Sequence, residues 1–148
     1  DKYIGDGVMV VFGAPKPVAD DARRALACAQ AMVEAIDRWS DERVHDGLPP
    51  VAVAIGAHWG QVFAGVLSDG RLLEYTVIGD PVNEAARLTE LAKLEPGHVL
   101  ASAMAVSDAV DAEALQWNVG ETVELRGRAK PPQLARPVRL AMPNDVPA

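Results

Sequence analysis

Three observations predict an α+β fold for this sequence. Segments rich in β-branched residues are interspersed with segments of helical period. Several strand-like segments meet at short glycine-containing turns, as hairpins do. The order of elements is too irregular for the strict alternation of a doubly wound parallel sheet. The chain has 148 residues, enough for one domain with a sizeable core. No stretch reads as a dividing linker, so residues 1–148 read as one domain.

The first element, "DKYIGDGVMVVFGAP", reads as two strands joined at Gly5-Asp6-Gly7 and ended by Gly13-Ala14-Pro15. Asp20 and Asp21 start a helix in which Ala22, Ala25, Leu26, Ala29, Met32, Val33 and Ile36 keep the three-and-four spacing of one buried face. "HDGLPP" is a loop. "VAVAIGAHWG" and "QVFAGVLSD" read as strands with a turn near Gly60, and Gly70 closes the second. A strand around Tyr75 then leads into a helix. Asp80 is expected as its N-cap and Pro81 as its first helical residue. Val82, Ala85, Ala86, Leu88 and Ala92 form its expected core-facing arc. "GHVLAS" reads as a strand and "AMAVSDAV" as a short helix. "TVELRGRAKPPQLARPVRLA" reads as a closing pair of strands around Pro131-Pro132.

Composition narrows the function classes. Fourteen Lys and Arg against 21 Asp and Glu give a formal charge of −7. A general nucleic-acid binder needs a basic face, so that class is disfavoured. A small anionic substrate held by a few placed cations remains compatible. No apolar run reaches membrane-spanning length, so no membrane contact is expected within this segment. Cys28 is the single cysteine. It excludes an intrachain disulfide, reads as a buried inert thiol, and fits a reducing cytoplasmic setting. A tether through an upstream segment remains compatible with that setting. His45, His58 and His98 lack metal-ligand spacing. Neither a Walker A sequence nor a dinucleotide fingerprint is present.

Three features survive. Asp6 lies at a hairpin tip, where a carboxylate can project toward a hard cation such as Mg²⁺. Taken alone, it also reads as an ordinary turn residue. Lys2 lies four residues earlier and is expected on the same strand face. Asn83 and Arg87 stand four apart, side by side on one helix beside its buried arc. Taken alone, that pair also reads as solvated surface.

Together, "DKYIGDGVMVVFGAP", "AIGAHWGQVFAGVLSDGRLLEYTVIGDPVNEAARL" and "VELRGRAKP" resemble, in order, the class III nucleotidyl cyclase catalytic domain. The likeness runs from Asp1 to about Leu140. It implies a ferredoxin-like α+β core and a homodimer with active sites at the subunit interface. It also implies conversion of ATP to cyclic AMP and pyrophosphate with two divalent ions, Mg²⁺ or Mn²⁺. By the same resemblance, Asp6 matches the second of two metal-binding aspartates. Lys2 matches the lysine that reads the adenine edge. Thr76 stands at the second base-reading position, where threonine resembles the bicarbonate-responsive adenylyl cyclases. Asn83 matches the ribose-positioning asparagine, and Arg87 the arginine that stabilises phosphate charge in the transition state. Arg126 resembles a basic position near the distal phosphates.

The family's first metal-binding aspartate lies on a strand upstream of the hairpin. The expectation is therefore an N-terminally incomplete domain that lacks its first strand and following helices. The 148 residues alone should then be inactive. The competing expectation is a cyclase-like binding or dimerisation module without activity.

Overall fold

The computed structural model describes residues 2–68, 73–109, 111–122 and 133–138. The first hairpin is β1 (Lys2–Ile4) and β2 (Gly7–Met9), antiparallel, with Gly5 and Asp6 in the turn. Helix α1 spans Asp21–His45. All seven residues of its expected buried face are buried or half-buried, with Leu26 fully enclosed. Cys28 is half-buried, not enclosed as expected.

Strand β3 (Ile55–Ala57) is shorter than "VAVAIGAHWG" suggested. Only these three residues find ladder partners, on β6 (Val99–Ser102), with Ile55 opposite Val99. Between them in sequence come β4 (Phe63–Ser68), β5 (Leu73–Ile78) and helix α2 (Asp80–Ala92). β4 and β5 form an antiparallel ribbon with Gly65 opposite Thr76. β3 and β6 run parallel, as a long crossover through a helix permits.

After β6 the chain forms α3 (Ala103–Asp108), capped by the Ser102 side chain, which accepts from the Ala105 amide. A short 3₁₀ turn (Asp111–Gln116) leads into β7 (Trp117–Thr122). β8 (Gln133–Pro137) pairs antiparallel with both β6 and β7. The closing strand pair therefore exists, but its first strand begins earlier than expected. Trp117 is buried and anchors it. Residues 123–132, including the expected Pro131-Pro132 turn, lie outside the described residues, as does the Gly70 turn.

The main sheet has the order β3-β6-β8-β7. Alternation across its central strands builds two cores. Val99, Ala101 and Ala135 join Ala22, Leu26, Ala29 and Trp117 on the α1 side. Leu100 and Leu134 face the other way and meet Leu88 and Ala92 of α2. The sheet thus has a helix on each face, and α2 is held by apolar packing. Among the described residues, no helix is long and apolar enough to cross a membrane.

Candidate functional site

Helix α2 is pinned to the sheet by an unusually close approach. A Cβ on Gly56 would lie 2.7 Å from the Leu88 carbonyl carbon and closer still to the Thr89 nitrogen and the Ala85 oxygen. Glycine therefore lets the β3 backbone sit directly on the helix. The Gly56 amide donates to Thr89 Oγ1 at 3.1 Å, and that hydroxyl donates to the Ala85 carbonyl at 2.9 Å. The helix enters through Gly79, whose φ of 155° suits glycine alone. Gly79 is the N-cap, one residue before the expected Asp80. Asp80 instead occupies the first turn, where its charge complements the helix dipole.

The buried stripe of α2 is Glu84, Leu88 and Ala92. This corrects the expected arc. Ala86 is exposed, whereas Glu84 is only 1% exposed. Glu84 Oε1 accepts from Arg87 Nη1 at 2.8 Å. The Arg87 side chain is 41% exposed. Asn83 is exposed on the adjoining turn. Asn83 and Arg87 stand four residues apart on this helix, and Arg87 is tied to Glu84, a partner that sequence reading missed. The residue type carried no signal, because glutamate is seldom fully buried.

The other candidates lie on neighbouring elements. Thr76 is half-buried on β5, on the ribbon face shared with Phe63 and Ile78. Phe63 is 66% exposed and Ile78 50%. Lys2 sits opposite Met9 in the first hairpin, and its side chain lies outside the described residues. Asp6 is exposed in the turn. The strand ends at Ile4, so the expected shared strand face of Lys2 and Asp6 does not carry through the turn. Arg126 lies outside the described residues.

The pKa of Lys93 is raised chiefly by its hydrogen bond to Glu90, which outweighs the opposing effect of desolvation, and the charges of Glu90 and Asp6 add to the rise.

Among the described residues, no group of three or more His, Cys, Asp or Glu side chains could hold a metal ion. A single exposed carboxylate still fits Mg²⁺ as one ligand among substrate phosphates and water. A shallow cleft lined by Trp59, Gly60, Gln61, Met104, Ser107 and Asp108 contains none of the expected site residues.

Comparison with known proteins agrees with this architecture. The structure resembles the guanylyl cyclase Cya2 (TM-score 0.76, 29% identity, covering 99% of this chain and 72% of that one). It also resembles the adenylyl cyclase CyaB from P. aeruginosa (TM-score 0.80, 27% identity, covering 94% and 70%). The uncharacterized protein Rv1318c of Mycobacterium tuberculosis is 43% identical over 143 residues, which are 97% of this chain and 25% of that protein. Rv1320c of the same organism is 44% identical over 144 residues, 97% of this chain and 24% of that protein. The chain thus spans about a quarter of these curated relatives. Residues 2–134 match the family model described as the adenylate and guanylate cyclase catalytic domain. The chain belongs to the adenylate and guanylate cyclase catalytic domain family, whose members bind nucleotide substrates, generally use divalent metal ions and typically act as dimers.

Proposed function

We propose that this chain is the catalytic region of an adenylyl cyclase that converts ATP to cyclic AMP and pyrophosphate. The observation that carries the proposal is the mounting of Asn83 and Arg87 on a helix locked to the sheet at Gly56. In this reaction the ribose 3′ oxygen bonds to the α-phosphorus while the bond to the pyrophosphate leaving group breaks. Such transfer needs alignment and charge stabilisation more than covalent help. Asn83 orients the ribose. Arg87 meets the charge that develops on the phosphate, for which a planar and permanently charged fork is suited. Lys2 and Thr76 read the adenine edge, and Arg126 contacts the distal phosphates. Asp6 would hold a share of the divalent ions, which when bound neutralise phosphate charge.

Because members of this family typically act as dimers, the proposed assembly is a homodimer in which each site takes Asp6 from one subunit and Asn83 and Arg87 from the other. A hydroxyl at Thr76 and the ammonium of Lys2 suit adenine better than guanine, whose donor and acceptor pattern on that edge differs. The native full chain should therefore cyclise ATP in preference to GTP. Equal turnover of the two nucleotides would reject the base assignment. Nucleotide binding without turnover of either would favour an inactive cyclase-like module instead.

A further inference from the structure

We propose that Glu84 is a positioning residue that holds Arg87 in its reactive orientation. The inference rests on the reading of Arg87 as the phosphate-facing cation and goes beyond it. Its starting point is an oddity of burial. Position 84 lies on the stripe with Leu88 and Ala92, where an apolar side chain would pack without cost. A carboxylate that is 1% exposed carries a desolvation penalty, and a paired buried charge is weak evidence for stability. The cation it holds is not itself enclosed, since the Arg87 side chain is 41% exposed. The pair is thus anchored on the protein side and open on the solvent side.

The geometry of the bond gives the anchor its use. Glu84 engages Nη1 at 2.8 Å. Among the described residues, Nε and Nη2 of Arg87 make no hydrogen bond, so both remain available to phosphate oxygens. A free arginine side chain has a large rotamer entropy. Tethering one nitrogen to a rigid partner removes much of that freedom before substrate arrives. The tether fixes the guanidinium on the same helix that carries Asn83.

The test compares Glu84→Met, Glu84→Gln, Arg87→Ala and the double variant Glu84→Met/Arg87→Ala in the native full chain. Methionine keeps the length and suits the apolar stripe, and glutamine keeps an acceptor for Nη1. Glu84→Met should melt no lower than wild type yet turn over about 10- to 100-fold more slowly, the cost of misplacing a catalytic group by about 1 Å. Its affinity for 3′-deoxy-ATP, measured by calorimetry, should stay within about threefold of wild type, since the loss lies in the transition state. Glu84→Gln should recover most of the rate. The double variant should be no slower than Arg87→Ala alone, because Glu84 acts only through Arg87. Wild-type turnover in Glu84→Met, or losses that multiply in the double variant, would overturn the proposal. Normal turnover in Arg87→Ala would instead remove the catalytic reading of Arg87 itself.

Discussion

Replacing Gly56 by alanine tests whether the close seat of α2 on β3 fixes both stability and chemistry. The added methyl would meet the backbone of Ala85, Leu88 and Thr89, with the Leu88 carbonyl carbon at 2.7 Å. Backbone cannot swing aside as a flexible side chain can. Ordinary contact begins near 3.4 Å, so the helix must retreat by roughly 1 Å. Overpacking of this kind costs about 1–3 kcal/mol. The Gly56–Thr89 hydrogen bond, 3.1 Å long, would stretch or break, at a further cost of about 1 kcal/mol. A combined loss of about 2–4 kcal/mol corresponds to a fall in melting temperature of roughly 5–15 °C. The same displacement shifts the helix that carries Asn83 and Arg87. A shift of about 1 Å is enough to cost on the order of 10²-fold in rate. Thermal unfolding followed by circular dichroism and a steady-state cyclic nucleotide assay read the two effects separately. A Gly56→Ala protein that melts with the wild type would refute the packing argument. One that melts early but turns over normally would leave the packing intact and refute α2 as a rigid catalytic mount.

Two further outcomes follow from the placement of charged groups. If the site is shared between subunits, Asp6→Ala and Arg87→Ala should each lose at least about 10² in rate. Their mixture should recover activity, because each mixed dimer keeps one intact site; confirmed subunit exchange without recovery would reject the shared site. Glu95 accepts from Arg136 Nε at 2.7 Å and Nη2 at 2.8 Å, and that bond chiefly holds its carboxyl below its ordinary value of 4.5. The stabilisation is present above pH 4.5 and fades as pH falls through the lowered value. Its size stays under about 1 kcal/mol, since the Arg136 side chain is 40% exposed. Glu95→Gln should therefore be slightly less stable than wild type at pH 7 and converge with it in acid, and an undiminished difference at pH 3 would contradict the assignment.

Much of this architecture is legible in the sequence because it follows from local rules. The seven-residue face of α1 obeys helical spacing, and the first hairpin follows from its glycine-flanked turn. The Asn83/Arg87 pair is legible because a four-residue spacing on a capped helix needs no tertiary knowledge. What escaped the sequence depends on distant partners. β3 is three residues long because only Ile55–Ala57 reach β6, and nothing within "VAVAIGAHWG" marks that limit. β7 starts at Trp117 because that side chain fills the α1 core, although Asn118 and Gly120 weaken its strand character. Within "VAVAIGAHWG" nothing marks Gly56 as the seat of a helix. Ala86 is exposed and Glu84 joins the buried stripe because helical spacing gives the period of the stripe but not its phase, which the sheet decides.

That phase has a chemical consequence. With Leu88 as its centre, the buried stripe of α2 includes Glu84, leaves Arg87 half-buried at its margin and Asn83 exposed beyond it. A rotation of the helix in one direction would bury Arg87 along with Glu84, while the opposite rotation would carry both toward solvent. The contacts of Gly56 with Ala85, Leu88 and Thr89 oppose both. Ala85 lies between Glu84 and Arg87 in sequence, and Leu88 and Thr89 follow directly, so the rotational setting of α2 is fixed beside the charge it presents. Apolar burial is non-directional and by itself sets no rotational angle. The Gly56–Thr89 hydrogen bond is directional. A single strand residue without a side chain thus converts non-specific packing into a defined angle for the guanidinium.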